Sequence, residues 1–395
     1  QEPDHARPHL EHVIALSAAR DLCFEARRIV AEGMRTKEHP YAFIERSVRE
    51  VARIVTRADD RLPVHTAAEV VRECEAKWLH ERQSGDHQIC LPTGFWRYDR
   101  VTDGLPLKAI TMWAALSGCG KRLVAHQIAH LVSQTSWNGI IPGVVFVSGE
   151  MDQEALYERA ICSEAHVDLR TFRRVRRGAK TRRGEEELSA ERRYNVDLAC
   201  IKAARDIECR PIAYYTRVTD LMGIRAALRK AQSKMPNNPV KLVVVDYAQM
   251  MKLPKAERND LALGEFAYGL RELAAEENLH GMVLSQLVKT SMMRGRPRKE
   301  DLKGATALAD AAYTVTMVHR PLKVLDNPTM EQRRDLEPYC ELVIDKGRGH
   351  QTGLLPMGWE GEHYRIRDER RLGESTYEFD ELRNRYRTVL TGAAA

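Results

Sequence analysis

The octapeptide Ala115-Leu116-Ser117-Gly118-Cys119-Gly120-Lys121-Arg122 carries the densest chemistry in the chain. It follows an apolar run and precedes the amphipathic stretch LVAHQIAHLV, so it reads as a strand, a glycine loop and the start of a helix. That order suits a polyphosphate. Gly118 and Gly120 let backbone N–H groups close around phosphate oxygens, the helix N-terminus adds partial positive charge, and Lys121 can reach the terminal phosphates. Ser117, Gly118, Cys119, Gly120, Lys121 and Arg122 are therefore the candidate nucleotide-binding residues. Two positions depart from the G-x-x-x-x-G-K-[ST] pattern. Ala115 replaces its first glycine, and Arg122 replaces the hydroxyl residue that ligates Mg²⁺. A guanidinium cannot ligate a cation and carries charge of the same sign.

Further residues sit where such a site would need them. The apolar run from Lys241 ends on Asp246, a candidate metal carboxylate, and the run from Val144 is followed by Glu150, which could activate water as a general base. The run Met282–Ser285 ends on Gln286, an amide able to sense a γ-phosphate. Lys346 and Arg348 lie in the glycine-flexed segment Asp345–His350 and are candidate transition-state cations, acting in trans if the protein forms a ring. Between 289 and 303 lie Lys289, Arg294, Arg296, Arg298, Lys299 and Lys303, against only Glu300 and Asp301. Such a loop could grip a phosphodiester backbone without reading sequence. Lys303, Gly304, Arg294, Arg296 and Arg298 are its candidate DNA contacts. A second basic run, Arg170 to Arg183, reads more simply as a solvated helical face laced with ion pairs.

The elements that must position these groups follow from pattern. Apolar, β-branched runs at 109–113, 143–147, 212–215, 241–245, 282–284, 313–318 and 341–344 are mostly separated by helix-length amphipathic segments. This predicts an α/β domain with a mostly parallel sheet, whose carboxyl-end loops carry the site. Before it, apolar spacing predicts a helical hairpin over about 9–56 and a third helix over 66–81, with Val70, Val71, Cys74 and Trp78 on its face. The expected domains are 1–63 (hairpin), 64–90 (linker helix and linker), 91–370 (motor) and 371–395 (tail).

Composition limits the partners less than position does. The 395 residues hold 62 Lys+Arg against 56 Asp+Glu, a formal charge of +6, which permits but does not demand a polyanion. No apolar run is long enough for a membrane span. The eight cysteines are scattered without metal-site spacing, so a reduced, cytoplasmic setting is expected. The chain opens on Gln1 with no charged-then-apolar leader and reads as a fragment or a trimmed product.

Taken in order, Leu91-Pro-Thr-Gly-Phe-Trp-Arg-Tyr-Asp-Arg, the phosphate loop, Ser148-Gly-Glu150-Met, Val245-Asp-Tyr-Ala-Gln-Met250, Leu284-Ser-Gln-Leu287, Asp301-Leu-Lys-Gly304 and Lys346-Gly-Arg348 resemble the DnaB family of hexameric replicative helicases. The resemblance implies a RecA-like P-loop motor using ATP and Mg²⁺, a homo-hexameric ring around single-stranded DNA, and 5′→3′ movement. It also implies primase and helicase-loader partners in a bacterial or phage-infected cytoplasm. It assigns phosphate binding to Lys121, the catalytic base to Glu150, the metal carboxylate to Asp246 and γ-phosphate coupling to Gln286. Lys346 and Arg348 would reach the neighbouring subunit's nucleotide, and the helix at 66–81 looks like the family's linker helix. A reading from another class is a hydrolysis-poor ring that binds nucleotide and encircles DNA in a structural or regulatory role; Arg122 motivates it.

Overall fold

The computed structural model describes residues 20, 22–36, 39–58, 66–84, 88–176, 188–216, 218, 220–246, 259–288, 295–302, 306–325 and 327–368. The expected tail 371–395 and the candidates Arg294, Lys303 and Gly304 lie outside them. The chain divides into two compact units, Gln1–Gly85 and Asp86–Ala395. Among the described residues, no helix is long and apolar enough to cross a membrane.

The first unit holds helices over 22–33, Pro40–Ala58 and Ala67–Ser84. Pro40 opens the second with its φ already helical. Thr66 and Glu69 cap the third reciprocally: the Thr66 N–H donates to Glu69 Oε2 at 2.7 Å, and the Glu69 N–H donates to Thr66 Oγ1 at 3.3 Å. The first two helices close on each other where Arg46 meets Glu32 at 3.0 Å. Their apolar stripes are not consumed within the unit. Phe24, Ile44 and Val48 are exposed, as are Val70, Val71 and Trp78, and among this unit's residues with a described side chain only Ser47 is buried.

The second unit is built on a nine-stranded sheet. A short ribbon precedes it, β1 (Cys90–Leu91) pairing antiparallel with β2 (Leu105–Pro106). The sheet strands are β3 (Ala109–Ala115), β4 (Gly143–Ser148), β5 (Ile212–Thr216), β6 (Val240–Asp246), β7 (His280–Gln286), β8 (Thr314–His319), β9 (Tyr339–Gly347), β10 (Gly353–Glu360) and β11 (Arg365–Arg367). Their order across the sheet is β11-β10-β9-β8-β3-β7-β6-β4-β5. From β8 to β5 every neighbouring pair is parallel, while β9, β10 and β11 return as antiparallel hairpins.

The parallel strands read as unbroken apolar runs because helices cover both of their faces. Val144 to Val147 and Leu242 to Val245 are fully buried, each such side chain contributing about 1.5–3 kcal/mol relative to exposure. Helices Lys121–Val132, Leu221–Lys234 and Asn259–Glu276 supply the covering layers.

Polar side chains inside this core are wired rather than free. His280 Nδ1 contacts the Pro106 carbonyl at 2.7 Å and must donate there, so the neutral ring accepts from Thr111 Oγ1 at Nε2, 2.9 Å away. Arg210 donates to His130 Nδ1 at 3.0 Å, His130 Nε2 faces the Tyr214 hydroxyl at 2.8 Å, and that hydroxyl meets His126 Nε2 at 3.3 Å. Burial depresses the His126 pKa to about 3 and that of His280 to about 4, so both stay neutral.

Candidate active site

Parallel strands place their carboxyl ends along one edge, and the candidate groups gather there. β3 ends at Ala115 and passes into the phosphate loop, which turns into helix Lys121–Val132. The Cys119 N–H donates to the Leu116 carbonyl at 3.1 Å, tightening the loop. Gly118 and Gly120 have φ of +77° and +89°, a region costly for side-chain-bearing residues. At Gly120 space also decides, because a Cβ there would lie 2.4 Å from the Trp359 ring. No acidic residue occupies the first turn of the helix, so its N-terminal dipole faces the loop unopposed.

A cavity of about 450 Å³ opens over this loop, lined by Ser117, Gly118, Gly120, Lys121 and Arg122 and also by Glu150 and Gln286. Gln286 arrives through β7, which pairs with β3 so that Gln286 stands beside Ala115. Asp246 ends β6 opposite Ser148 of β4, and Glu150 follows two residues later. Burial lowers the Lys121 pKa to about 8, opposed by Asp246 and lowered further by Arg122. An anion arriving in the cavity would therefore meet a lysine whose charge the protein alone supports poorly.

Arg122 does not point away from the acids. Its Nε donates to Asp246 Oδ2 and its Nη2 to Glu150 Oε2, so one guanidinium bridges both carboxylates. Asp246 is fully buried and the arginine side chain is only 19% exposed, whereas Glu150 is 55% exposed. Burial alone would lower the Arg122 pKa, yet the two carboxylates raise it above the ordinary arginine value. Asp246 Oδ1 is buried without a hydrogen-bond partner.

Lys346 and Arg348 lie at the other end of the sheet. Gly347 pairs with Thr314, and Thr314 with Thr111 near the start of β3. Four residues of strand then separate that level from Ala115, roughly 13 Å at about 3.3 Å per residue. Both side chains bind the end of helix Thr306–Ala311: Lys346 Nζ donates to the Ala309 and Asp310 carbonyls at 2.7 and 3.0 Å, and Arg348 Nη2 to the Asp310 carbonyl at 2.8 Å. This chain's own Lys346 and Arg348 are thus separated from its own phosphate loop.

The basic loop leaves the sheet beside Gln286. Leu287 bridges to Leu302, and the Val288 N–H donates to the Asp301 carbonyl at 2.8 Å, pinning the two ends of the loop together. Among its described residues, Arg298 is exposed, and its own N–H donates to Asp301 Oδ2. Arg296 makes a two-pronged ion pair with the fully buried Glu341, at 2.9 and 3.0 Å. In the other basic run, Arg173 and Arg176 pair with Glu158 and Glu154 on the preceding helix Gln153–Ala165.

Arg159, Trp359 and Tyr364 are among the cavity residues that escape sequence reasoning. Trp359 stacks under the Arg320 guanidinium at 4.2 Å, and Arg159 lies 5.1 Å over the Tyr364 ring. They come from β10, from the turn after it and from helix Gln153–Ala165.

Residues 90–368 match the DnaB-like helicase C terminal domain family. The replicative DNA helicase DnaB of Leifsonia xyli subsp. xyli is 25% identical over 357 residues, covering 87% of this chain and 71% of that protein. Its namesake in Haemophilus influenzae is 26% identical over 277 residues, covering 69% of this chain and 54% of that protein, so the match spans about half of the second relative. A solved DnaB-like replicative helicase, described with its interactions with primase, aligns at a TM-score of 0.67 and 20% identity, over 91% of this chain and 78% of the other. That likeness speaks for the fold. With the family match reaching from β1 past β11, the chain belongs to the DnaB-like helicase C-terminal domain family.

Proposed function

We propose that this chain is the motor of an ATP-driven, ring-shaped replicative helicase that moves on single-stranded DNA and unwinds duplex ahead of it. One observation carries the reading. The phosphate loop, Asp246, Glu150 and Gln286 converge at one end of the sheet, while Lys346 and Arg348 stand at the other. A site divided in this way suits a nucleotide bound between copies, with Lys121 holding phosphate from one side and Arg348 and Lys346 approaching from the next subunit. Gln286 adjoins the pinned root of the basic loop, so a change at the γ-phosphate can be passed to the segment that carries Lys303, Gly304, Arg294 and Arg298. Backbone gripping by such a loop needs charge and N–H groups but no base reading.

Several finer assignments rest on family membership. They include a hexamer, 5′→3′ movement and a cytoplasmic setting, with primase and a loader as partners. The division into hairpin (1–63), linker helix and linker (64–90), motor (91–370) and tail (371–395) rests on the pattern of the sequence. Attenuated turnover is a further part of the reading, supported by the Arg122 bridge. One of the two Glu150 carboxylate oxygens already accepts a hydrogen bond from Arg122. Magnesium, which the family implies, does not suit the donors present. The loop hydroxyl is gone, and a guanidinium sits on both carboxylates. The test is strand displacement on a forked duplex. Unwinding with ATP and none with a non-hydrolysable analogue is expected; equal displacement with both would sink the motor reading.

A further inference from the structure

Every other polar group in the nucleotide cavity could serve a magnesium-dependent site, but Arg122 could not. It occupies the position after the loop lysine, where a hydroxyl would complete the coordination of a divalent ion. Its guanidinium is a cation with donors only. It engages Asp246 Oδ2 and Glu150 Oε2 together, which leaves Asp246 Oδ1 as a buried acceptor with no partner. A magnesium ion seeks near-ideal octahedral oxygen geometry. To enter here it would have to expel a positive group that two carboxylates hold, then do without the hydroxyl.

We propose that the Arg122 guanidinium is the resident cation of this site, so that a nucleoside triphosphate binds to the chain without any divalent metal. The inference rests on the nucleotide-site reading above and deepens it. The arginine already does part of what a bridging ion does between these two side chains: it offsets one of their two negative charges and holds them together. Its Nε and Nη2 are engaged by the carboxylates, and Arg122 lines the same cavity as Lys121 and Arg159. Three cationic side chains and the N-terminus of helix Lys121–Val132 thus line the place an anion would take, so positive charge is present there without an ion. The same bridge holds Asp246 and Glu150 in their present places, so metal-free binding and slow hydrolysis follow from one contact. Binding and turnover are then governed by different chemistry: a hydroxyl at residue 122 would weaken metal-free binding and free the two carboxylates for a metal-dependent reaction.

The experiment measures the affinity of the full chain for ATPγS by calorimetry, in EDTA and in magnesium, for wild type and Arg122→Thr. Wild type is expected to bind equally in both buffers. Arg122→Thr is expected to lose about tenfold or more in EDTA, the effect of one charge-assisted contact, and to regain it with magnesium. Manganese resonance spectra give a second readout, with nucleotide-dependent uptake of the ion by Arg122→Thr and none by wild type. Wild-type binding that needs magnesium would overturn the inference while leaving the nucleotide site standing. No binding by folded wild type in either buffer would overturn the site reading, and the inference with it. The wild-type arm decides the matter even if the variant does not fold.

Discussion

Replacing Arg296 by alanine separates two roles that its sequence position confuses. The side chain lies in the basic loop proposed to meet DNA, yet it reaches back to Glu341 of β9 with two charge-assisted hydrogen bonds at 2.9 and 3.0 Å. Glu341 is fully buried, and without the arginine it keeps the Tyr339 hydroxyl at 2.9 Å. Removing one partner of a buried pair costs about 3–5 kcal/mol, because the other charge is left uncompensated. Arg296 is itself 44% exposed, so water already screens part of the pair, and about 2 kcal/mol is the appropriate expectation. With ~2.1 cal/mol/K of unfolding entropy per residue and a unit of about 300 residues, that lowers Tm by about 3 °C. Scanning calorimetry on wild type, Arg296→Ala, Glu341→Gln and the double variant closes the cycle. The arginine deletion should cost much less in the Glu341→Gln background. In parallel, the salt dependence of single-strand binding should be the same for Arg296→Ala as for wild type. An unchanged Tm with a shallower salt slope would refute the reasoning and make Arg296 a DNA contact.

Acid should weaken the second unit through its buried histidines. Burial holds His126 at about 3 and both His280 and His319 at about 4, below the unfolded value of about 6.5. The denatured chain therefore binds more protons as pH falls through that window, and stability, full above about 6.5, declines below it. At pH 5 each histidine costs about 2 kcal/mol; equal urea midpoints at pH 7 and pH 5 would contradict this. Lys346→Ala and Arg348→Ala should leave ATP affinity intact and lower turnover by about a thousandfold, the effect of an arginine finger. Mixing either variant with Lys121→Ala should restore some turnover, and failure to complement would argue against a shared site. Lys303→Ala should weaken single-strand binding and reduce the salt slope by about one, with an unchanged slope excluding that residue from the interface.

The parallel half of the fold was legible because its strands are buried on both sides. Lys241-Leu-Val-Val-Val-Asp246 needs no partner to be read as a central strand, and its terminal carboxylate marks the carboxyl edge. The antiparallel return was harder. β10 contains Pro356, which argues against a central strand. Its other neighbour, β11, pairs only with Gly358–Glu360, so a missing N–H at 356 is tolerated on that side. Missing β10 also meant missing Trp359 and Tyr364, whose place in the cavity depends on the chain folding back across the sheet. Arg122 was legible as a departure from pattern, but its partners lie 28 and 124 residues away. Nothing local says that it grips both acids. Arg296 is the same problem in another form: charge counting finds six positive groups in one loop, and only packing tells which of them has a buried acid to satisfy.

The separation of Lys346 and Arg348 from the phosphate loop gives the subunit a direction. On the proposed division of the nucleotide site between copies, one end donates cations and the other accepts them. Two copies related by a twofold axis would face like ends together and complete neither site, whereas head-to-tail contacts repeat without limit unless the rotation closes. Such an assembly is complete only as a circle; any open arrangement leaves one nucleotide site without its cations. A single defective copy would then disable two adjacent sites: its own, through its phosphate loop, and a neighbour's, through its Arg348.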